Sequence, residues 1–170
     1  RVTAQKQVGV RTGLRQIAAA GVPVVEPIRI HGRRPSRRVS VWPWFGRGDL
    51  SDLLDVPAAH AAGTALARLH GADIASADTP DAVEGLLSLA TDVADLDDAA
   101  ATRLTDLAGR VGARITAGAW ATGPVHGDFS ADQVLVGGAG QETVRLTDFD
   151  RQGRGPLLAD LGSFAAAELL

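Results

Sequence analysis

The sequence predicts one α+β domain, and its composition and two patterns carry that prediction. The chain has 170 residues, of which 45% are hydrophobic and 22% are charged, so a single globular domain can bury a sizeable core. Long segments in its middle space apolar residues at helical intervals. Short β-type runs lie on either side of those segments, for example "VSVW" before them and "QVLV" after them.

The first predicted elements are a helix and two strands. The stretch "GVRTGLRQIAAAG" places Val10, Leu14 and Ile17 on one helical face and closes on Gly21, a usual helix stop. Next, "EPIRIHGRRPSRRVSVWPWF" alternates apolar and polar residues on both sides of a centre rich in Gly, Pro and Arg, which predicts two strands joined by a turn. The basic residues 31–38 fit a solvated turn better than a nucleic-acid patch, because the net charge is -3.

Helices and a second hairpin make up the rest of the prediction. A short linker, "GRGD", precedes a buried helix that begins at Pro57, and one or two further helices follow. Two β-type runs, "QVLVGG" and "ETVRLTDF", then surround the turn "GGAGQ". The polar segment Val125–Gln133 therefore leads into a hairpin, and Asp148 lies at its exit.

Composition also limits the function. The chain has no cysteine, which excludes disulfides and thiolate metal sites. No apolar run approaches the roughly 18 residues of a membrane span, and no signal peptide is evident, so we expect a cytoplasmic protein that does not bind membranes or nucleic acid. The chain begins at Arg1 and contains no methionine, which suggests a piece of a longer protein.

The spacing of three polar residues points to phosphoryl transfer. Asp128 precedes Gln133 by five places, and the predicted hairpin separates Gln133 from Asp148. Transfer from ATP needs one carboxylate to orient the acceptor hydroxyl, and it needs carboxylate and amide oxygens to hold Mg²⁺ against the phosphates. A hairpin brings residues at its entrance and its exit side by side, so the spacing suits that chemistry.

Other interpretations remain open at this point. Asp128 alone could form a turn, Asp148 and Asp150 could be an exposed acidic pair or part of a calcium loop, and Asp160 could cap a helix. Three other enzyme classes are disfavoured. The sequence lacks the paired histidines of zinc hydrolases, a G-x-x-x-x-G-K-[ST] loop and a G-x-S-x-G elbow.

Two motifs resemble a known family. "HGDFSADQVLV" followed by "LTDFDRQGRGPLLADLGSF" is similar to the catalytic loop and metal-binding segment of the aminoglycoside phosphotransferase and choline kinase-like family, relatives of the protein kinases. The resemblance implies a protein-kinase-like α+β fold. Residues 1–46 would be a remnant of the small lobe with the hinge, and residues 47–170 the mainly helical large lobe. The family's N-terminal glycine-rich loop and C-terminal helices would be missing.

The resemblance also implies a role for each matching residue. Asp128 would be the catalytic base, and Gln133 and Asp148 would bind the metal. The site would be supported structurally by His126, Asp150 and Asp160. The segment "VSVWPWFGRGDL" resembles the interlobe hinge, so Trp42 and Trp44 would line an adenine pocket, although plain core is an equal alternative for them.

The predicted function is transfer of the ATP γ-phosphate to a hydroxyl of a small molecule, such as an aminoglycoside, a sugar or an amino alcohol. ATP and Mg²⁺ are the expected cofactors. One departure favours an alternative: the family has asparagine at the position of Gln133, and Mg²⁺ demands near-ideal octahedral geometry. The alternative is a nucleotide-binding or regulatory module with impaired catalysis.

Overall fold

Helices and short antiparallel strands make up the protein, as predicted. The computed structural model describes residues 13–31, 39–53, 55–75, 82–138, 140 and 143–169. The helices are α1 (residues 13–19), α2 (Val56–His70), α3 (Ala82–Val93), α4 (Asp98–Ala117) and α5 (Leu158–Ala167). The strands are β1 (Arg29–His31), β2 (Val39–Val41), β3 (Gly48–Asp49), β4 (Thr122–Val125), β5 (Val134–Val136), β6 (Val144–Leu146) and β7 (Gly153–Pro156).

Helix α2 forms where the sequence predicts it, and its start is capped. The side chain of Asp55 accepts a hydrogen bond from the amide of Ala58 at 2.9 Å, and Pro57 occupies the first turn, where its missing N–H costs nothing. The buried face of α2 is formed by Ala58, Ala62, Ala65, Leu66 and Leu69. The small alanines let α2 lie close to the strands beside it.

The second predicted hairpin is confirmed, and it belongs to a three-stranded sheet. Strands β5 and β6 pair antiparallel with Val134 opposite Leu146, and β3 pairs with the other edge of β5. Residues 48–49 were expected in a linker. They form a strand because their backbone makes hydrogen bonds with β5. A two-residue run that contains glycine does not predict such a contact. Residue Val24 adds a parallel bridge to Leu146.

A second pair of strands was not predicted. Strand β4 pairs antiparallel with β7, and Val125 lies opposite Gly153. Their sequences, "TGPV" and "GRGP", are rich in glycine and proline and lack the alternation of an ordinary strand. Because β4 precedes the loop that carries Asp128 and β7 follows the segment that carries Asp148, this pair brings the two segments together.

One hydrophobic core connects the N-terminal helix with the rest. Leu14, Ile17 and Val22 lie in the same buried cluster as Leu69 of α2 and the apolar residues of the β5–β6 hairpin. This cluster contains residues from both sides of the predicted lobe boundary at residue 46. The division into a small and a large lobe therefore stays a prediction. The pairing of β1 with β2 confirms the first predicted hairpin, while its turn at 32–38 lies outside the described residues.

No helix within the described ranges is both long enough and apolar enough to cross a membrane.

Candidate active site

The candidate site is formed by two segments of the chain, one that connects β4 to β5 and one that connects β6 to β7. The chain leaves β4 at Val125, forms the loop that carries Asp128, and passes through a single 3-10 turn, Ala131–Gln133, into β5. After β6 it passes Asp148 and a second 3-10 turn, Phe149–Arg151, into β7. Two short turns, each followed by a paired strand, therefore hold the polar residues in place.

His126 joins the loop to the segment after β6. Its ring is fully buried, and Nε2 lies 2.8 Å from the carbonyl oxygen of Thr147. A carbonyl oxygen only accepts, so Nε2 carries the hydrogen. The ring packs on Phe149 at 4.4 Å and edge-on against Phe129 at 5.7 Å between centroids. Burial lowers the pKa of His126, against the raising effect of the Thr147 hydrogen bond and of Asp160, Asp148 and Asp128. The imidazole is consequently neutral.

Asp160 accepts hydrogen bonds from the backbone of the loop. It lies inside the first turn of α5 and is fully buried, so it does not cap that helix. Its Oδ2 accepts from the amide of His126 and its Oδ1 from the amide of Gly127, each at 2.9 Å. The same Oδ2 lies 2.9 Å from Nε2 of His70, the last residue of α2. One buried carboxylate thus connects α2, α5 and the loop.

Asp128 itself is exposed, and its backbone neighbour is tightly packed. Gly127 has φ 85°, and a Cβ built on it would stand 2.9 Å from the carbonyl carbon of Arg151 and closer still to its oxygen. The loop therefore lies directly on the second 3-10 turn. The Arg151 guanidinium lies 3.9 Å from Oδ2 of Asp128, and both side chains are more than half exposed. An exposed pair at this distance contributes little to stability, which leaves Asp128 available to a ligand.

Gln133 and Asp148 lie at the same end of the β5–β6 hairpin. The amide of Thr147 donates to the backbone carbonyl of Gln133 at 3.0 Å, one residue before Asp148. The side-chain Nε2 of Gln133 donates to Asp132 at 3.1 Å, and Asp132 in turn accepts from the hydroxyl of Ser130. Asp148 adopts a left-handed backbone conformation with φ 58°, and its side chain does not cap the turn that follows. Such strain at a non-glycine residue is common at functional sites.

The side chains of Gln133 and Asp148 fit a magnesium ion in type and availability. Neither the Gln133 side-chain oxygen nor the Asp148 carboxylate accepts a hydrogen bond from the described part of the chain. Magnesium takes oxygen ligands and usually keeps waters and substrate phosphates in its shell. No group of three or more His, Asp or Glu side chains that could hold a metal occurs among the residues described. A metal here would complete its shell from a bound phosphate.

The predicted nucleotide residues are placed at the surface. The Trp44 side chain is 88% exposed, with its indole N–H donating to the carbonyl of Gly46, and Trp42 is 44% exposed. The core alternative is therefore wrong for both indoles. Phe45, which follows Trp44 directly, is buried, and the Arg145 guanidinium lies 4.9 Å from its ring centroid. No hydrogen bond, ion pair or ring contact between described residues joins Trp42 or Trp44 to Asp128, Gln133 or Asp148.

Two residues of the site were not anticipated. Asp132 is exposed and accepts a hydrogen bond from the side-chain amide of Gln133. His70 contacts the carboxylate of Asp160. No local sequence pattern reveals a partner so far along the chain. Asp150 is exposed within the second 3-10 turn, and no described hydrogen bond ties it to the loop.

Comparison with known proteins finds several solved structures with a similar fold. A choline/ethanolamine kinase family protein from Mesorhizobium loti superposes with a TM-score of 0.67 at 18% identity, over 96% of this chain and 56% of that one. An aminoglycoside-3'-phosphotransferase of type VIII gives a TM-score of 0.66 at 22% identity, over 96% and 65%. An aminoglycoside phosphotransferase from Streptomyces rimosus, in complex with ADP and streptomycin, gives 0.68 at 18%, over 98% and 69%.

The chain thus spans between about half and two thirds of the length of the first two structures. Its fold is the protein-kinase-like α+β fold that they share. No curated protein sequence matches the chain. The model of the phosphotransferase enzyme family matches residues 11–169. The chain therefore belongs to the phosphotransferase enzyme family.

Proposed function

We propose that the protein transfers the γ-phosphate of ATP to a hydroxyl group of a small molecule. The observation that carries this proposal is the 3.0 Å hydrogen bond from the Thr147 amide to the Gln133 carbonyl. This bond places Gln133 beside Thr147, the residue that precedes Asp148. The loop that carries Asp128 overlies the same end of the hairpin, where His126 contacts Thr147. Phosphoryl transfer depends on positioning and charge stabilisation, which such an arrangement supplies.

Asp128 is the proposed base. Its exposed carboxylate accepts the hydrogen of the acceptor hydroxyl and holds that oxygen in line with the γ-phosphate. The Arg151 guanidinium lies 3.9 Å from Oδ2 of this carboxylate, so a positive charge stands beside the proposed base. The Gly127 backbone lies directly on the Arg151 carbonyl. This contact fixes the position of the loop relative to the segment that carries Asp148.

Gln133 and Asp148 are the proposed metal ligands. Asp132 holds the nitrogen of the Gln133 amide at 3.1 Å, which leaves the amide oxygen to face a ligand. Bound magnesium would neutralise negative charge on the β- and γ-phosphates. His126 and Asp160 support this arrangement through their buried hydrogen bonds, and Asp150 belongs to the same turn as Arg151.

A nucleotide and a hydroxyl-bearing acceptor are the proposed partners. The Streptomyces rimosus relative forms a complex with ADP and streptomycin, and another relative forms one with AMP-PNP and hygromycin B. The exposed indoles of Trp42 and Trp44 are the proposed contacts for adenine, since aromatic faces stack on bases. The acceptor is an aminoglycoside, a sugar or an amino alcohol, and the use of ATP assigns the proposed reaction to the cytoplasm.

Turnover of ATP tests the proposal. The full encoded protein is assayed for magnesium-dependent ADP release with panels of aminoglycosides, sugars and amino alcohols. The Asp128→Asn variant should lower kcat by about 10²- to 10⁴-fold, the usual contribution of a general base. Asp92→Asn, at an exposed position on α3, is the matched control and should leave kcat unchanged. Nucleotide binding without turnover of any acceptor would replace the proposal with a nucleotide-binding module.

The Gln133→Asn exchange tests the metal ligand. The side chain of asparagine is shorter by one carbon–carbon bond, so its amide oxygen lies farther from the proposed metal and its amide nitrogen no longer contacts Asp132. We therefore expect kcat to fall and the magnesium concentration for half-maximal rate to rise. A sharp rise in activity would instead show that glutamine impairs the site.

A further inference from the structure

The segment that carries the two exposed indoles is attached to the β5–β6 hairpin by its buried neighbour, Phe45. Trp44 is 88% exposed, whereas Phe45, the next residue, is buried. The Arg145 guanidinium of β6 lies over the Phe45 ring, 4.9 Å from its centroid. A cation at such a distance is attracted by the quadrupole of the ring, and more strongly when the pair is shielded from water. Phe45 is therefore held by burial and by a charged neighbour together.

The pairing of the strands explains why Arg145 can contact Phe45. Leu135 lies directly opposite Arg145 in the hairpin and opposite Asp49 of β3, and residues opposite each other share one face of a sheet. The alternate hairpin residues are buried in the core, namely Val134, Val136, Val144 and Leu146. The row of Asp49, Leu135 and Arg145 therefore occupies the opposite, partly exposed face. Phe45 contacts this face through Arg145.

The backbone after Phe45 is fixed to the same hairpin. The amide of Arg47 donates to the carbonyl of Val136 at 3.0 Å. Gly46 has φ 79°, and a Cβ built on it would stand 2.8 Å from the carbonyl carbon of Val136, so this close approach requires glycine. Residues 45–47 thus contact both strands of the hairpin.

The hairpin connects this attachment with the proposed metal ligands. Gln133 precedes Leu135 by two residues, and Asp148 follows Arg145 by three. A strand rises about 3.3 Å per residue, so the ligands lie about 7–10 Å along the hairpin from the row that Phe45 contacts. One hydrogen-bonded element therefore determines how far the indoles stand from the ligands.

We propose that the Phe45–Arg145 pair is a positioning contact that holds the indoles of Trp42 and Trp44 at a fixed separation from the metal site. The base and the phosphates of one nucleotide are then bound together. The inference rests on the proposed function, in which the indoles contact adenine and the end of the hairpin holds magnesium. A segment that adopts its binding conformation only part of the time binds its ligand more weakly by that fraction. Loss of the pair should consequently weaken binding of the base and leave binding of the phosphates intact.

Two ligands, one with a base and one without, test the proposal. Calorimetry on the full encoded protein compares ATP with inorganic tripolyphosphate, each with magnesium. Phe45→Leu keeps an apolar side chain and removes the ring. This variant and Arg145→Leu should each raise Kd for ATP by about 3- to 10-fold and change Kd for tripolyphosphate by less than about twofold.

Two further variants serve as controls. Arg145→Lys should keep most of the affinity for ATP, because an ammonium group is also attracted to the ring. Arg110→Leu, at an exposed position on α4, is the matched control for the loss of a charge and should bind both ligands like the wild type. An equal rise in Kd for ATP and tripolyphosphate would overturn the positioning role, because the substitution would then act on the phosphate end itself.

The double variant shows whether the two residues act as a pair. Phe45→Leu combined with Arg145→Leu should raise Kd for ATP no further than the more damaging single substitution, since either change alone already removes the contact. A rise in Kd equal to the product of the two single effects would overturn the pair.

Hydrogen exchange tests the contact without a nucleotide. The Arg47 amide, which bonds to Val136, should exchange at least about fivefold faster in Arg145→Leu than in the wild type, with exchange in the middle of α2 unchanged. Equal exchange of this amide in the two proteins would overturn the attachment. A wild type that does not bind ATP would overturn the proposed function, whereas a wild type that binds ATP, with variants that bind it equally well, would overturn this inference alone.

Discussion

Replacing Gly127 with alanine tests the contact between the loop that carries Asp128 and the turn that carries Arg151. Gly127 has φ 85°, and an added Cβ would overlap the backbone carbonyl of Arg151. Gly140, in the hairpin turn, has φ 78° and nothing within 4 Å of the position of a Cβ. Gly140→Ala therefore measures the cost of the backbone conformation alone, and the difference between the two variants measures the overlap.

The expected magnitudes follow from these two terms. Alanine in the left-handed region costs about 1–2 kcal/mol, offset by about 0.4–1 kcal/mol from the stiffer unfolded chain. Gly140→Ala should then lose about 0.5–1 kcal/mol. Overlap with a backbone atom adds about 1–3 kcal/mol, which gives about 2–4 kcal/mol for Gly127→Ala. For a domain of this size, each kcal/mol lowers Tm by about 2–4 °C, so the losses should be about 4–16 °C against about 1–4 °C.

Thermal unfolding followed by circular dichroism measures both variants. Since the overlap pushes Arg151 away from the loop, Gly127→Ala should also lower kcat, whereas Gly140→Ala should not. Equal losses of Tm in the two variants would refute the contact between Gly127 and Arg151.

Further predictions concern the buried network and the start of α2. Burial depresses the pKa of His126, so its stabilising contribution is complete above about pH 6.5, the pKa in the unfolded chain, and is lost as pH falls toward the folded pKa. Tm of the wild type should fall over that acidic range more steeply than Tm of His126→Gln, and equal slopes would contradict the neutral imidazole. Asp160→Asn replaces one of the two acceptor oxygens by an NH2 group that must face a backbone amide donor, and it should lose about 3 kcal/mol in urea unfolding; a loss under about 1 kcal/mol would contradict the network. Asp55→Ala removes a helix cap and should lose about 1 kcal/mol, whereas Arg47→Ala, which removes only the exposed partner of Asp55, should lose less; the reverse order would show that the ion pair matters more than the cap.

Local patterns in the sequence predict the elements that carry their own signals. Helix α2 has a proline in its first turn and a regular apolar face, and the β5–β6 hairpin has two β-type runs around a glycine-rich turn. The order of Asp128, Gln133 and Asp148 around that hairpin was sufficient to propose a site. These features depend on residues close together in the chain, which is why the sequence alone can indicate them.

The remaining features depend on distant residues. Strands β4 and β7 contain glycine and proline where strands usually contain β-branched residues, and each exists because the other pairs with it. The exposure of Trp44 follows from how its segment lies on the hairpin, and an aromatic run in isolation indicates burial equally well. The His70 contact with Asp160 joins two helices whose separate patterns contain no sign of each other.

The sequence separations within the Asp160 network bear on how the protein forms during synthesis. The His126 contact with Thr147 spans 21 residues, the Asp160 contacts with the loop amides span 34 and 33, and the His70 contact spans 90. A ribosome synthesises the loop that carries Asp128 and the β5–β6 hairpin before α5, and short loops close at less entropic cost than long ones. Nascent chains that have not yet folded α5 consequently lack the acceptor for the loop amides, so we expect the proposed phosphate transfer to begin only after that helix has docked.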